Sequence, residues 1–148
     1  MSTQHTPWVV TFDPQDTLPM KLKKAAHVKP SPAQLSWMEK EFVGFVHYGP
    51  NTFNHVQWGN GTEHVTDYRP EKLDVAQWCR VCGQAGMKMM VFTAKHHDGF
   101  CQWNTRTTDF SIEHALGQAD IMEDLKKGCQ DNGMKLGVYL SPWDMHQR

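Results

Sequence analysis

The stretch Met89-Met90-Val91-Phe92-Thr93-Ala94-Lys95-His96-His97-Asp98-Gly99-Phe100 decides how this chain folds. Its first part is a short continuous apolar run, the pattern of a strand buried on both faces. Its second part sets a lysine, two imidazoles and a carboxylate side by side, and Gly99 then allows a sharp turn. Titratable groups gathered at the end of a buried strand carry a desolvation cost that filler residues do not. The cluster therefore points to a site.

Outward from this strand, a unit repeats. Phe42–His47 reads as a strand before it, and Lys135–Leu140 as a strand after it. Between the first two strands, Asp74 caps a predicted helix whose apolar positions Val75, Trp78, Cys79 and Cys82 follow helical spacing. Between the second and third, residues 119–132 read as a helix with Ile121, Leu125 and Cys129 on one face, stopped by Gly133. The order β-α-β-α-β calls for parallel strands joined by right-handed crossovers. Each helix-to-strand turn is tight, around Gly86 or Gly133, whereas each strand-to-helix connection is a long loop. That asymmetry is what a (β/α)8 barrel shows at its functional face, although a doubly wound open sheet shares it.

The predicted fold class is α/β: a partial (β/α)8 TIM-type barrel comprising roughly the first three β/α units. Such barrels need about 250 residues and eight strands. With the initiator methionine present and only three strands supplied, the reading expects a C-terminal truncation. The third strand's outer edge would then lack a partner, and the chain alone is expected to show little hydrogen-exchange protection. Residues 1–30, which contain Pro7, Pro14, Pro19 and Pro30, read as an irregular N-terminal arm with one short strand at Trp8–Phe12. Ser31-Pro32 opens a short helix to about Lys40, with Leu35, Trp37 and Met38 as a face to bury, so the barrel portion is taken as 31–148.

Composition narrows the partners. The 148 residues are 39% hydrophobic and 21% charged, with Lys+Arg 15 against Asp+Glu 16 and no basic block. Nucleic acid and anionic membrane are poor partners for such a chain. No apolar run approaches the roughly 20 residues that span a bilayer. No signal peptide is visible, which favours a cytoplasmic location. Cys79 and Cys82 form a Cys-x-x-Cys pair without a second pair at zinc-site spacing, so a structural role on a helix face is the better reading.

Three polar clusters fall where the strand ends should converge: His47-Tyr48-Gly49, Lys95-His96-His97-Asp98, and Tyr139 with Ser141-Pro142-Trp143-Asp144. The first long loop adds Trp58-Gly59-Asn60-Gly61-Thr62-Glu63. Imidazoles, carboxylates and aromatic faces in one pocket suit a sugar, whose hydroxyls need donors and acceptors and whose C–H surface packs on rings. Competing readings stay open. Asp98 before Gly99 can be a turn former. His55, His64 and His114 read as solvated, and Lys95 as the partner of Asp98 or of an acidic group from a missing strand. A metal site using His47, His96, His97, Asp98 and Glu63 is the sharpest rival, but adjacent side chains on an extended strand point to opposite faces unless the backbone turns.

The segments Gly44–Gly49, Thr93–Trp103 and Gly137–Ser141 resemble the N-terminal half of the catalytic barrel of α-L-fucosidases of glycoside hydrolase family 29. The similarity runs from about Trp37 to Trp143, and Thr93-Ala94-Lys95-His96-His97-Asp98-Gly99-Phe100 is its most specific string. Trp58–Glu63 and Ser141–Asp144 look more like the subgroup acting on α-1,3/1,4-linked fucose. Tyr48 departs from the tryptophan that much of the family carries. The resemblance implies a retaining exo-glycosidase without a cofactor, acting on a fucosylated glycan or oligosaccharide. It implies that His47, His96 and His97 grip the fucose hydroxyls, that Tyr139 lines the same pocket, that Glu63 binds the sugar, and that Trp58 packs on it. It places the nucleophilic aspartate and the acid/base beyond Arg148, so this polypeptide alone is expected to be inactive. A non-catalytic fucose-binding remnant and a metal-dependent barrel hydrolase are the alternatives.

Overall fold

Three parallel strands carry the architecture, in the order β1 (Val43–Val46), β2 (Met89–Lys95), β3 (Lys135–Leu140). They are seen in a computed structural model that describes residues 8–116 and 121–147. The register pairs Val46 with Phe92 and Phe92 with Val138, so the three strands run side by side towards their carboxyl ends. A register shift between Thr93 and Lys95 bulges β2 just before its polar end. The parallel order and the crossover helices are those expected from the sequence.

The chain forms two compact units, Met1–Glu41 and Phe42–Arg148. In the first, α1 (Leu18–Ala25) and α2 (Pro32–Met38) are short helices. Residues 18–25 correct the expectation of an irregular arm, because Pro19 sits in the first turn of α1, where a missing N–H costs nothing. Lys24 ties this helix to Asp13 (3.0 Å) and Asp16 (2.5 Å). Trp8–Phe12 forms no strand, since a lone extended segment has no ladder to join. Ser31 caps α2 as expected, in a reciprocal box with Gln34. Leu35, Trp37 and Met38, expected to be buried, are exposed.

The second unit holds the core. Within the first long loop the chain forms α3 (Pro50–Asn54) and a single 3-10 turn at Val65–Asp67, local structure that a loop reading overlooked. Asp74 accepts from Gln77 N (2.8 Å) and caps α4 (Val75–Gln84). The described part of the last helix, α5, is Ile121–Asp131; residues 119 and 120, assigned to it from sequence, lie outside the described residues. Helices α4 and α5 pack on one face of the sheet: Val75, Cys79, Ile121, Leu125 and Cys129 close over Met90, Phe92 and Ala94 of β2. All four cysteines are free thiols; burial raises Cys79, pushes Cys101 up to about 11 and Cys129 up to about 12, so these three sulfurs pack rather than react. A second cluster, Tyr68, Phe100, Phe110, Ile112 and Ala115, anchors the loops beyond the strand ends.

Candidate functional site

The end of β2 shows how a strand becomes a site. The strand stops at Lys95, and the backbone turns so that Gly99 N donates to His96 O (3.1 Å). Gly99 sits at φ +93°, with Asp144 packed where a Cβ would be, so both backbone and space demand glycine. This turn overcomes the opposite-face constraint of an extended strand. The His96 and His97 rings come within 4.5 Å of each other.

Neighbouring elements then supply the remaining rings. From the end of β1, His47 lies 5.6 Å from His96 between ring centroids. Tyr139 of β3 lies 6.3 Å from His96. Trp58, from the first long loop, reaches both His96 (6.3 Å) and His97 (5.1 Å). Five of the six sequence-predicted residues thus share one ring cluster at the carboxyl ends of the strands.

Glu63, the sixth, is engaged with its own loop. Its carboxylate accepts from Asn60 N (2.7 Å) and Gly61 N (2.8 Å). A Cβ on Gly59 would stand 2.7 Å from Asp98 Cβ and 2.7 Å from Glu63 Oε1. Only glycine lets this loop lie so close to the Asp98 turn. In this arrangement Glu63 holds the loop that presents Trp58.

The charged groups sort themselves by partner. Lys95 pairs with Asp144 (2.7 Å) rather than with Asp98. Burial alone would raise the Asp144 carboxyl, but the Lys95 ammonium and the N–H groups of Gln147 and His146 outweigh it and hold it below its ordinary value. Asp98 is buried and accepts from Phe100 N (2.8 Å), which is the turn-forming reading. Burial, with Glu63 and Asp144 nearby, pushes Asp98 up. Burial first, then His97 and His47, lowers His96, leaving a neutral imidazole at physiological pH. His55, His64 and His114 are exposed. Among the described residues no trio of His, Cys, Asp or Glu is arranged to hold a metal ion.

Some contributors go beyond the sequence reading, which placed Trp143 at the strand ends without a partner and did not single out Gln102. Trp143 lies 5.1 Å from His97, on the segment after β3. Buried Gln102 donates to Tyr48 O and to Thr93 O (2.9 Å), stapling β1 to β2 beneath the histidines. Beside His96 is a small recess lined by Thr93, His96, Asp98 and Gln102. Buried Thr93 Oγ1, His96 Nδ1 and Gln102 Oε1 have no protein partner there. A polar residue just after a conspicuous histidine pair was the available signal for Gln102; nothing in the sequence placed Trp143 over His97.

Fold and site together define an α/β protein with an aromatic and imidazole pocket at the carboxyl ends of parallel strands, the usual position of a ligand site in such sheets. The model of the alpha-L-fucosidase family matches residues 23–148, and the chain belongs to that family. It is 38% identical over 122 residues to alpha-L-fucosidase 1 of Arabidopsis thaliana, covering 80% of this chain and 24% of that protein. A Bacteroides ovatus crystal structure, a candidate alpha-L-fucosidase, superimposes with TM-score 0.90 at 42% identity, over 94% of this chain and 24% of its own. A glycoside hydrolase 29 fucosidase of Ruminococcus gnavus, solved in complex with fucose, matches with TM-score 0.72 at 35% identity, over 80% of this chain and 25% of its own. The chain therefore spans about a quarter of the length of these relatives.

Proposed function

We propose that this chain is the N-terminal part of the catalytic (β/α)8 barrel of a retaining α-L-fucosidase, which removes terminal α-L-fucose from glycans. The observation that carries the reading is the ring cluster of His47, His96, His97, Tyr139 and Trp58, contributed by three successive strand ends and one loop. Together the imidazoles and the phenol offer both donors and acceptors to hydroxyls, and the indole offers a face for the C–H side of a sugar ring. The R. gnavus relative, solved with fucose, supports fucose as the sugar. Exposed Phe45, Val138 and Leu140 on β1 and β3 support a barrel whose further strands and helices cover them.

In this reading Glu63 contributes to the pocket by holding the Trp58 loop. A retaining mechanism needs two carboxyl groups about 5–5.5 Å apart, one as nucleophile and one as acid/base. The family resemblance puts that pair in sequence beyond Arg148, and the engagement of Asp98 as a turn former and of Asp144 with Lys95 supports this. Hydrolysis of an aryl α-L-fucoside tests this. The 148-residue chain is expected to show no turnover above a matched His96→Ala control, and the protein with its downstream sequence to show turnover that His96→Ala abolishes. Turnover by the short chain would overturn the placement of the carboxylates. A downstream sequence without a fourth strand ending in an aspartate would favour the non-catalytic remnant.

A further inference from the structure

We infer that Ser141 is a positioning residue that fixes the tautomer of His97, so that His97 presents Nε2 to its ligand as a hydrogen-bond acceptor. That this acceptor serves a sugar hydroxyl rests on the proposed function; the proton assignment does not.

Ser141 is buried immediately beyond β3. Its Oγ has three partners: Trp143 O at 2.8 Å, Trp143 N at 3.1 Å and His97 Nδ1 at 2.7 Å. A serine hydroxyl has one proton and two lone pairs. Trp143 O can only accept, so it takes the hydroxyl proton. The Trp143 N–H takes one lone pair. What remains for His97 is the second lone pair, and Nδ1 must carry a proton to use it. A neutral imidazole with its proton on Nδ1 has a bare Nε2, which accepts and does not donate.

The rest of the surroundings hold that ring in place. Trp58 and Trp143 each lie 5.1 Å from it, and His96 lies 4.5 Å away. The backbone is pinned as well, since Ser141 N donates to Lys95 O (3.0 Å) and Met145 N donates to His97 O (2.8 Å). The turn after β2 and the segment after β3 are thus clamped together, with the serine hydroxyl at the junction. His97 joins the pocket with a fixed polarity: it requires a donor, such as a hydroxyl, and disfavours a group that can only accept.

The test is made on 15N-histidine-labelled protein as its gene encodes it, reading ring tautomers from two-bond 1H–15N correlations at neutral pH. In the wild type, His97 is expected to show a protonated Nδ1 and an unprotonated Nε2. Ser141→Ala is expected to move the signature towards the Nε2–H form, and Ser141→Thr, which keeps the hydroxyl, to restore it. Titration with methyl α-L-fucoside should show about tenfold weaker binding for Ser141→Ala and near-normal binding for Ser141→Thr. A wild-type His97 protonated at Nε2 overturns the inference without any variant, and so does a signature that Ser141→Ala leaves unchanged. If the wild type shows Nδ1–H but the fucoside perturbs no pocket histidine, the tautomer lock stands and the fucose reading falls. If the fucoside binds to a protein whose His97 is Nε2–H, the lock falls and the fucose reading stands.

Discussion

Strands β2 and β3 are similar in length and both rich in apolar residues, yet they live in different environments. Met90, Phe92 and Ala94 of β2 are sealed beneath α4 and α5, and the strand is hydrogen-bonded on both sides. In β3, Val138 is 53% exposed and Leu140 55% exposed. Composition does not separate the two; position in the sheet does. A strand with neighbours on both edges is covered by the layer its crossovers build, whereas an outer strand waits for whatever lies past its free edge. The polar ends follow the same division. The turn after β2 is clamped by Lys95–Asp144, the Asp98 turn and Gln102, and it carries two of the site's imidazoles.

The sharpest way to break this contrast is in the core, and the stability tests below use the protein as its gene encodes it. Phe92→Ala is expected to cost about 3–5 kcal/mol, because Phe92 is fully buried, and urea denaturation reads the loss. A cost near that of a surface substitution would mean β2 is not the structural centre.

Next in size is the clamp. Lys95→Ala should cost about 2 kcal/mol by leaving Asp144 poorly compensated in a partly buried site. The sign of its pH dependence follows from the lowered carboxyl. The folded-state pKa of Asp144 lies below 3.8, so its contribution is present above that pH and is lost as pH falls through the depressed value. Lys95→Ala should flatten this acid limb in a pH series of denaturation curves, and an unchanged limb would show that the pair does not carry it.

Val138→Ala sharpens the comparison at the other strand. If further β/α units cover β3, the substitution costs about 1–2 kcal/mol. A change within about 0.5 kcal/mol marks a face that stays open and counts against barrel closure.

The smallest effect is expected at Asp98. Asp98→Asn keeps an acceptor for Phe100 N, so neutral-pH stability should change by less than about 1 kcal/mol, in the stabilising direction. Because the folded-state carboxyl is raised above 3.8, wild-type stability should decline as pH rises from that value through the raised one, and Asp98→Asn should remove the decline. Retention of the decline would assign it to another group.

Much of this was legible in the chain itself. Apolar runs of strand length, Asp74 and Ser31 as caps, and Gly86 and Gly133 as stops act over a few residues, so the β-α-β-α-β order and its helices could be read directly. The string Lys95–Phe100 announced a site for the same reason, since adjacent titratable groups are visible without a fold. Less legible were features set by distant partners. Lys95 meets Asp144 forty-nine positions along, and His97 meets Ser141 forty-four along, both through the parallel register of β2 and β3.

The sequence by itself determined the three strands and the two crossover helices, their order and the family, because those depend on local propensity, capping and a highly specific string of residues. Only the tertiary structure decided how the charges and protons are shared. It turned the backbone after Lys95 so that two neighbouring imidazoles face one pocket, gave Lys95 to Asp144, and set Glu63 to bracing the Trp58 loop. It also placed a buried serine hydroxyl where it dictates which nitrogen of His97 is bare. Those outcomes rest on distances of a few ångströms between residues far apart in the chain, and no local pattern encodes them.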